Sequence, residues 1–128
     1  MTPRISLQEA LALAGRGDLQ EALKRLDNAL DEARIRQDKQ WIGLLARNAA
    51  IVAEEAGDLP KAEAYCRVAL AVDDGDALAH FAFADISRRA GKEEVAAHHF
   101  SKCLDLATAT NDQPTLELLA KIGFRRPS

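Results

Sequence analysis

Apolar residues recur along the chain every three or four positions, in blocks separated by short polar interruptions, the spacing that lays one stripe along a helix. Leu19, Ala22, Leu23, Leu26, Ala29, Leu30 and Ala33 form the clearest stripe, which follows Asp18 and fades near Gln37. Before it, Ser6-Leu7-Gln8-Glu9 has the form of a capping box, so a first helix is predicted from near Leu7 to the glycines Gly15 and Gly17. Asp38 opens a third helix, whose Trp41, Ile42, Leu44, Leu45, Ala49, Ile51 and Val52 spread over more than one face. A helix of that kind lies between neighbours on both sides and is expected at the centre of the protein. Asp58 caps a fourth helix with Pro60 in its first turn, where the missing amide hydrogen costs nothing. Beyond the polar turn Asp73-Asp74-Gly75-Asp76, a fifth helix carries Leu78, Phe81, Phe83, Ala84 and Ile86 to Gly91, and a sixth carries Val95, Ala96, Phe100, Cys103, Leu104 and Leu106. Asp112 and Pro114 open a seventh with Leu116, Leu118, Leu119, Ile122 and Phe124. No strand is expected.

The blocks repeat. Gly17, Gly57 and Gly91 each end one helical pattern and start the next, and aligning them places Ala10, Ala50 and Ala84 at one offset and Ala22, Ala62 and Ala96 at another. Leu26, Cys66 and Phe100 share a third offset, Ala29, Ala69 and Cys103 a fourth, and Leu30, Leu70 and Leu104 a fifth. Small residues recur where paired helices must approach closely, and larger ones where the gap between pairs must be filled. Asp38 and Asp112 also share a register, with Leu44, Leu45 and Ala46 matching Leu118, Leu119 and Ala120. The last helix therefore reads as the first half of a further repeat.

Composition narrows the class. An apolar content of 48% with 5% aromatic residues fits an all-helical domain rich in Ala and Leu. A formal charge of -3, with no basic block besides the terminal Arg125-Arg126, argues against a nucleic-acid surface. No apolar run reaches membrane-spanning length, Gln8 and Glu9 interrupt any signal-like segment, and a cytoplasmic protein is expected. Cys66 and Cys103 fall on apolar helical positions and read as buried free thiols.

The aligned residues resemble the tetratricopeptide repeat, a two-helix unit whose period of 34 residues matches the interval from Gly57 to Gly91. The longer interval of 40 residues from Gly17 to Gly57 is similar to repeats of kinesin-light-chain-like members. In all three copies the aromatic that the family places four residues before the turn is replaced, by Leu13, Ala53 and Ser87, and the helix-ending proline is missing. The resemblance implies a single domain: a right-handed all-α solenoid of three antiparallel hairpins, at about 6–37, 38–74 and 76–110, with a capping helix at about 112–124.

The same resemblance implies a concave face, lined by the first helix of each pair, that receives a peptide or helix of another protein. On this sequence it comprises Leu7 and Leu11; Leu44, Arg47, Asn48, Ile51, Glu54 and Glu55; and Leu78, Phe81, Ala82, Asp85, Arg88 and Arg89, with Lys121 at its edge. Phe81 is the expected anchor, because Phe83 fills the core position of that helix, and Arg47, Asn48, Asp85 and Arg88 would set orientation. Some members grip a C-terminal carboxylate with Lys, Asn and Arg residues. Only Asn48 matches that clamp; Leu7, Leu11, Leu78 and Ala82 stand at its other positions.

Candidate chemistry is sparse. His99 and Cys103 share a helical face with His80 on the helix before, but Cys103 is a packing position and neither histidine has a nearby carboxylate to orient it. Glu54-Glu55 and Asp73-Asp74 are explained by helix ends and turns. No metal, cofactor or catalytic set is expected, and the reading is a non-enzymatic adaptor or small chaperone. The alternative is a structural subunit that self-associates through its terminal helices, as a homodimer joined at the cap through Leu118 and Phe124.

Overall fold

The structure, a computed structural model, describes residues 2–125. Among them seven helices follow in order: α1 (Pro3–Gly15), α2 (Leu19–Ile35), α3 (Lys39–Glu55), α4 (Leu59–Val72), α5 (Ala77–Arg89), α6 (Glu93–Thr110) and α7 (Gln113–Lys121). Arg126 of the basic terminus lies outside the described residues. No described helix is long and apolar enough to cross a membrane.

Local chemistry sets these boundaries. The Asp38, Asp58 and Asp112 carboxylates accept the backbone N–H three residues on, from Trp41, Lys61 and Thr115, at 3.3, 3.1 and 3.2 Å. Asp18 makes no such bond and pairs instead with Arg16 at 3.8 Å. The capping box at Ser6 is not the start of α1. Thr2 accepts the Ile5 N–H at 3.2 Å with Pro3 as first helical residue, a start that places a proline where no amide is needed and draws the helix one turn further out.

One chain reversal is used repeatedly. At Gly57, in the left-handed region at φ +82°, the Asp58 N–H bonds to the Ala53 carbonyl and the Gly57 N–H to the Glu54 carbonyl, both at 3.0 Å. This pair of bonds satisfies carbonyls that the helix end leaves open. The same pair closes α1, α2, α5, α6 and α7, with Gln37 and Asn111 taking the left-handed position after α2 and α6. Only the α4–α5 connection departs from it, running through Asp73–Asp76, where Asp73 accepts the Gly75 N–H and Asp76 accepts those of Leu78 and Ala79.

Each helix packs on the next, and α3 also meets α5, which puts α3 at the centre as its several apolar faces require. The aligned small residues lie in the interfaces: Ala10, Ala22, Ala50, Ala62, Ala84 and Ala96 are all buried. One core cluster runs from α1 to α5 around Leu26, Leu45, Val52 and Ile86; a second, around Phe100, Cys103 and Leu119, joins α5, α6 and α7. α5 serves both. Cutting Leu45 or Leu26 to Ala would cost about 3 kcal/mol, since a solenoid has no spare core to refill the gap.

Candidate interaction groove

The first helices of successive pairs, α3, α5 and α7, line a groove of about 400 Å³. From α3 come Arg47, Asn48, Ile51 and Glu54; from α5 Leu78, Phe81, Ala82 and Asp85; from α7 Leu118. Ile51 and Leu118 are its exposed apolar residues, at 40% and 38% of full exposure. Phe81 is half-buried, its ring edge-on to Phe100 at 5.6 Å between centroids, so it forms the groove wall rather than a free anchor. Phe83 is in the core, as its position demands.

Arg47 is committed to the scaffold. Its guanidinium meets both Asp76 oxygens, at 3.0 and 2.8 Å, while that same carboxylate caps α5. The side chain expected to orient a partner thus fixes α5 against α3. Asn48 donates to its own helix, at the Leu44 carbonyl, at 2.8 Å. Leu44 lies beside the groove, lining a separate cleft of about 400 Å³ with Lys39, Val72 and Leu106 that Arg47 shares. Leu7 packs on the core, while Leu11, Glu55 and Lys121 are exposed and outside the groove lining.

Arg88 and Arg89 are exposed and outside the groove lining; Arg89 reaches the Glu54 carboxyl at 3.3 Å and donates to the Glu54 carbonyl at 3.1 Å, and Arg88 pairs with Asp85. Burial and the hydrogen bond to Asp85 push the Glu54 pKa up to about 7. Burial also opposes ionisation of Asp85, but hydrogen bonds from Glu54 and Arg88 outweigh it and hold that carboxyl below its usual range.

A homodimer joined at the cap would need Leu118 and Phe124 on its outer side. Leu118 faces the groove instead, from a helix that occupies the place of a first helix. The register that Asp112 shares with Asp38 was the signal for that helix in the sequence. Phe124, the other residue of that joint, packs on Phe100 at 5.3 Å between ring centroids. Among the described residues the large apolar side chain left exposed on the outer side of the cap is Ile122, beside a cleft of about 210 Å³ with Arg88, Phe100 and Phe124.

His80 and His99 meet between α5 and α6. His80 Nε2 faces the Asp74 carbonyl at 2.7 Å and its Nδ1 faces His99 Nδ1 at 2.9 Å, so in the neutral pair His80 donates to Asp74 and accepts from His99. His99 also stacks on Phe83 at 4.4 Å. Burial pushes the Cys103 thiol up to about 11 and the Cys66 thiol to about 12, and among the described residues no three His, Cys, Asp or Glu side chains gather as a metal would need.

No family model and no curated protein matches the chain. Solved structures do. The first tetratricopeptide domain of Spaghetti (RPAP3), bound to the HSP90 peptide SRMEEVD, superposes with a TM-score of 0.75 at 18% identity, over 93% of this chain and 94% of that one. The C-terminal tetratricopeptide-containing domain of a Plasmodium falciparum FK506-binding protein gives 0.72 at 20% identity, over 94% and 87%. MamA of strain MSR-1 gives 0.51 at 15%, over 86% and 79%. The chain therefore has the fold of tetratricopeptide-repeat domains, a right-handed solenoid of helical hairpins ending in a cap helix.

Proposed function

We propose that the chain is a non-enzymatic protein-interaction module, an adaptor or small chaperone that holds a peptide or helix of a partner protein in the groove of α3, α5 and α7. The observation that carries this reading is the exposure of Ile51 and Leu118 across a groove in which Phe81 is braced by Phe100 and Arg47 by Asp76. Preformed concave surfaces with apolar side chains left in water gain most when a partner covers them. A structural neighbour holds an HSP90 peptide, which supports peptide binding on this fold. The carboxylate clamp of some family members is not the mode proposed here, since Leu7, Leu11, Leu78 and Ala82 replace its polar residues.

A photo-crosslinking residue placed at Ile51 or Leu118 tests the reading against one placed at Lys102 on α6. The groove positions should capture a common protein that Lys102 does not, and the double variant Ile51→Asp, Leu118→Asp should abolish its binding while helicity is unchanged. Equal capture from Lys102 would refute it.

A further inference from the structure

The interval from Gly17 to Gly57 is 40 residues against 34 from Gly57 to Gly91, and the excess lies at one edge of the solenoid. α2 and α4 each begin two residues after their glycine, and α3 and α5 each end two residues before the next. α2 and α3 nevertheless run to 17 residues, where α4 has 14 and α5 13, so the surplus sits at the C-terminal end of α2 and the N-terminal end of α3. At a rise of about 1.5 Å per residue it carries the α2–α3 connection about one turn past the end of α4. Among the described residues this projection stays in water: Arg34, Ile35, Arg36, Gln37 and Lys39 are all exposed, Ile35 at 82% more than any other large apolar side chain.

Between the projecting turns and the end of α4 opens a cleft of about 350 Å³, lined by Arg34, Gln37, Lys39, Ile42, Ala71 and Val72. It shares no lining residue with the groove of α3, α5 and α7. Its floor is apolar, its rim carries two cations, and no carboxylate lines it. The acids nearby are engaged elsewhere: Asp38 caps α3, Asp73 accepts the Gly75 N–H, and Glu32 lines a different cleft with Ser6 and Glu9. Asp31 stands 3.9 Å from Arg34 with 71% of its side chain in water, a loose pair. Lys39 and Arg36 have no ion-pair partner among the described residues. Lys39 is also the first residue of α3, whose opening turn holds no acid, and a cation there opposes the helix dipole. Its charge does not serve its own helix.

We propose that this edge of the solenoid is a second docking surface, independent of the groove, and that it takes a segment of a partner protein in which an apolar residue stands beside an acidic one. The apolar side chain fills the cleft over Ile42, Ala71 and Val72, and its acidic neighbour meets Lys39 and Arg34 on the rim. The flank of the same segment covers Ile35. Charge selects the occupant, because an apolar floor ringed by cations without carboxylates repels a basic segment and leaves a neutral one with nothing to pair. A flat anionic surface such as a lipid bilayer would meet Ile35 and the cations but leave the cleft empty. A segment with a protruding side chain fills it.

Peptides selected from a random phage-displayed library against the full chain, then assayed on variants of it, provide the test. One class of ligands should pair Asp or Glu with an apolar residue and bind Ile51→Asp as tightly as the unaltered protein. Its affinity should fall about tenfold on Lys39→Glu, the size of a charge reversal at a solvent-exposed contact, and persist on Lys39→Arg. Because Lys39→Glu suits the helix dipole, a loss of binding there does not come from a weakened α3. Ala71→Phe fills the cleft from an exposed helical position, keeps every charge, and should block the same peptides, with circular dichroism verifying that each variant is folded. Ligands of this class that are neutral or basic, or that bind Lys39→Glu or Ala71→Phe unchanged, would overturn the second surface and leave the groove reading standing. So would a selection in which no ligand depends on Lys39. Vesicles of phosphatidylserine and phosphatidylcholine form the other arm: sedimentation with them that Ile35→Ser abolishes and Ala71→Phe spares would make the projection a membrane contact and overturn the proposal.

Discussion

Ser87 shows how much one residue's surroundings decide. It stands where the family pattern would put an aromatic, and its hydroxyl is fully buried without a hydrogen-bond partner among the described residues. A buried hydroxyl left unpaired loses its water and gains nothing in exchange, and Ser is also a weaker helix former than Ala. Ser87→Ala should therefore raise stability by about 1 kcal/mol, seen as a higher urea midpoint with an unchanged slope. Arg47 teaches the opposite lesson. In the sequence it is one arginine among several on a concave face, and only the arrival of Asp76 from the α4–α5 turn makes it a strut. Nothing in the spacing of the two residues announces that pair.

At the scale of elements, the repeated chain reversal exposes a weak position. Gly57 meets its left-handed backbone without penalty, but Gln37 takes φ +57° with a full side chain. Gln37→Gly should stabilise the protein by about 0.5–1 kcal/mol, measured as a rise in Tm, even though it removes atoms and adds no contact. The α5–α6 pair carries a second prediction. His99 has its pKa pushed down to about 4 by burial and by His80, well below its ordinary value of 6.5. The folded state thus resists a proton that the unfolded chain accepts. The stability this ring contributes is complete above about pH 6.5 and is lost as pH falls from there towards about 4. Because the ring is only partly buried, the loss should be about 1–2 kcal/mol. His99→Phe, which keeps the stack on Phe83, should flatten that part of the pH profile in denaturant titrations.

For the molecule as a whole, the question is which apolar surface remains to meet another protein. The cap covers Phe100 with Phe124 and turns Leu118 into the groove, which among the described residues leaves Ile122 as the large exposed apolar side chain on its outer side. One exposed isoleucine beside a small cleft is far less than the area a stable dimer buries. The chain should run as a monomer in light scattering at high micromolar concentration, and Leu118→Ser should alter partner capture without altering mass. A dimer that dissociates on Ile122→Lys would instead support assembly through the cap.

The sequence by itself determined the seven helices, most of their caps, the recurring turn and the buried alanine positions, because each depends on contacts within a few residues or on a pattern repeated three times. Phe83 in the core and α3 at the centre were legible for the same reason. Tertiary structure decided what the concave side chains do. Arg47 is spent on Asp76, Leu44 lies beside the groove, Leu118 joins it, and Glu54 meets Asp85 and Arg89 from another helix. Periodicity assigns a residue to a face of its own helix, but its partners come from elements 29 to 35 residues away. Which charge is neutralised, and which apolar group stays in water, is fixed only when those elements dock.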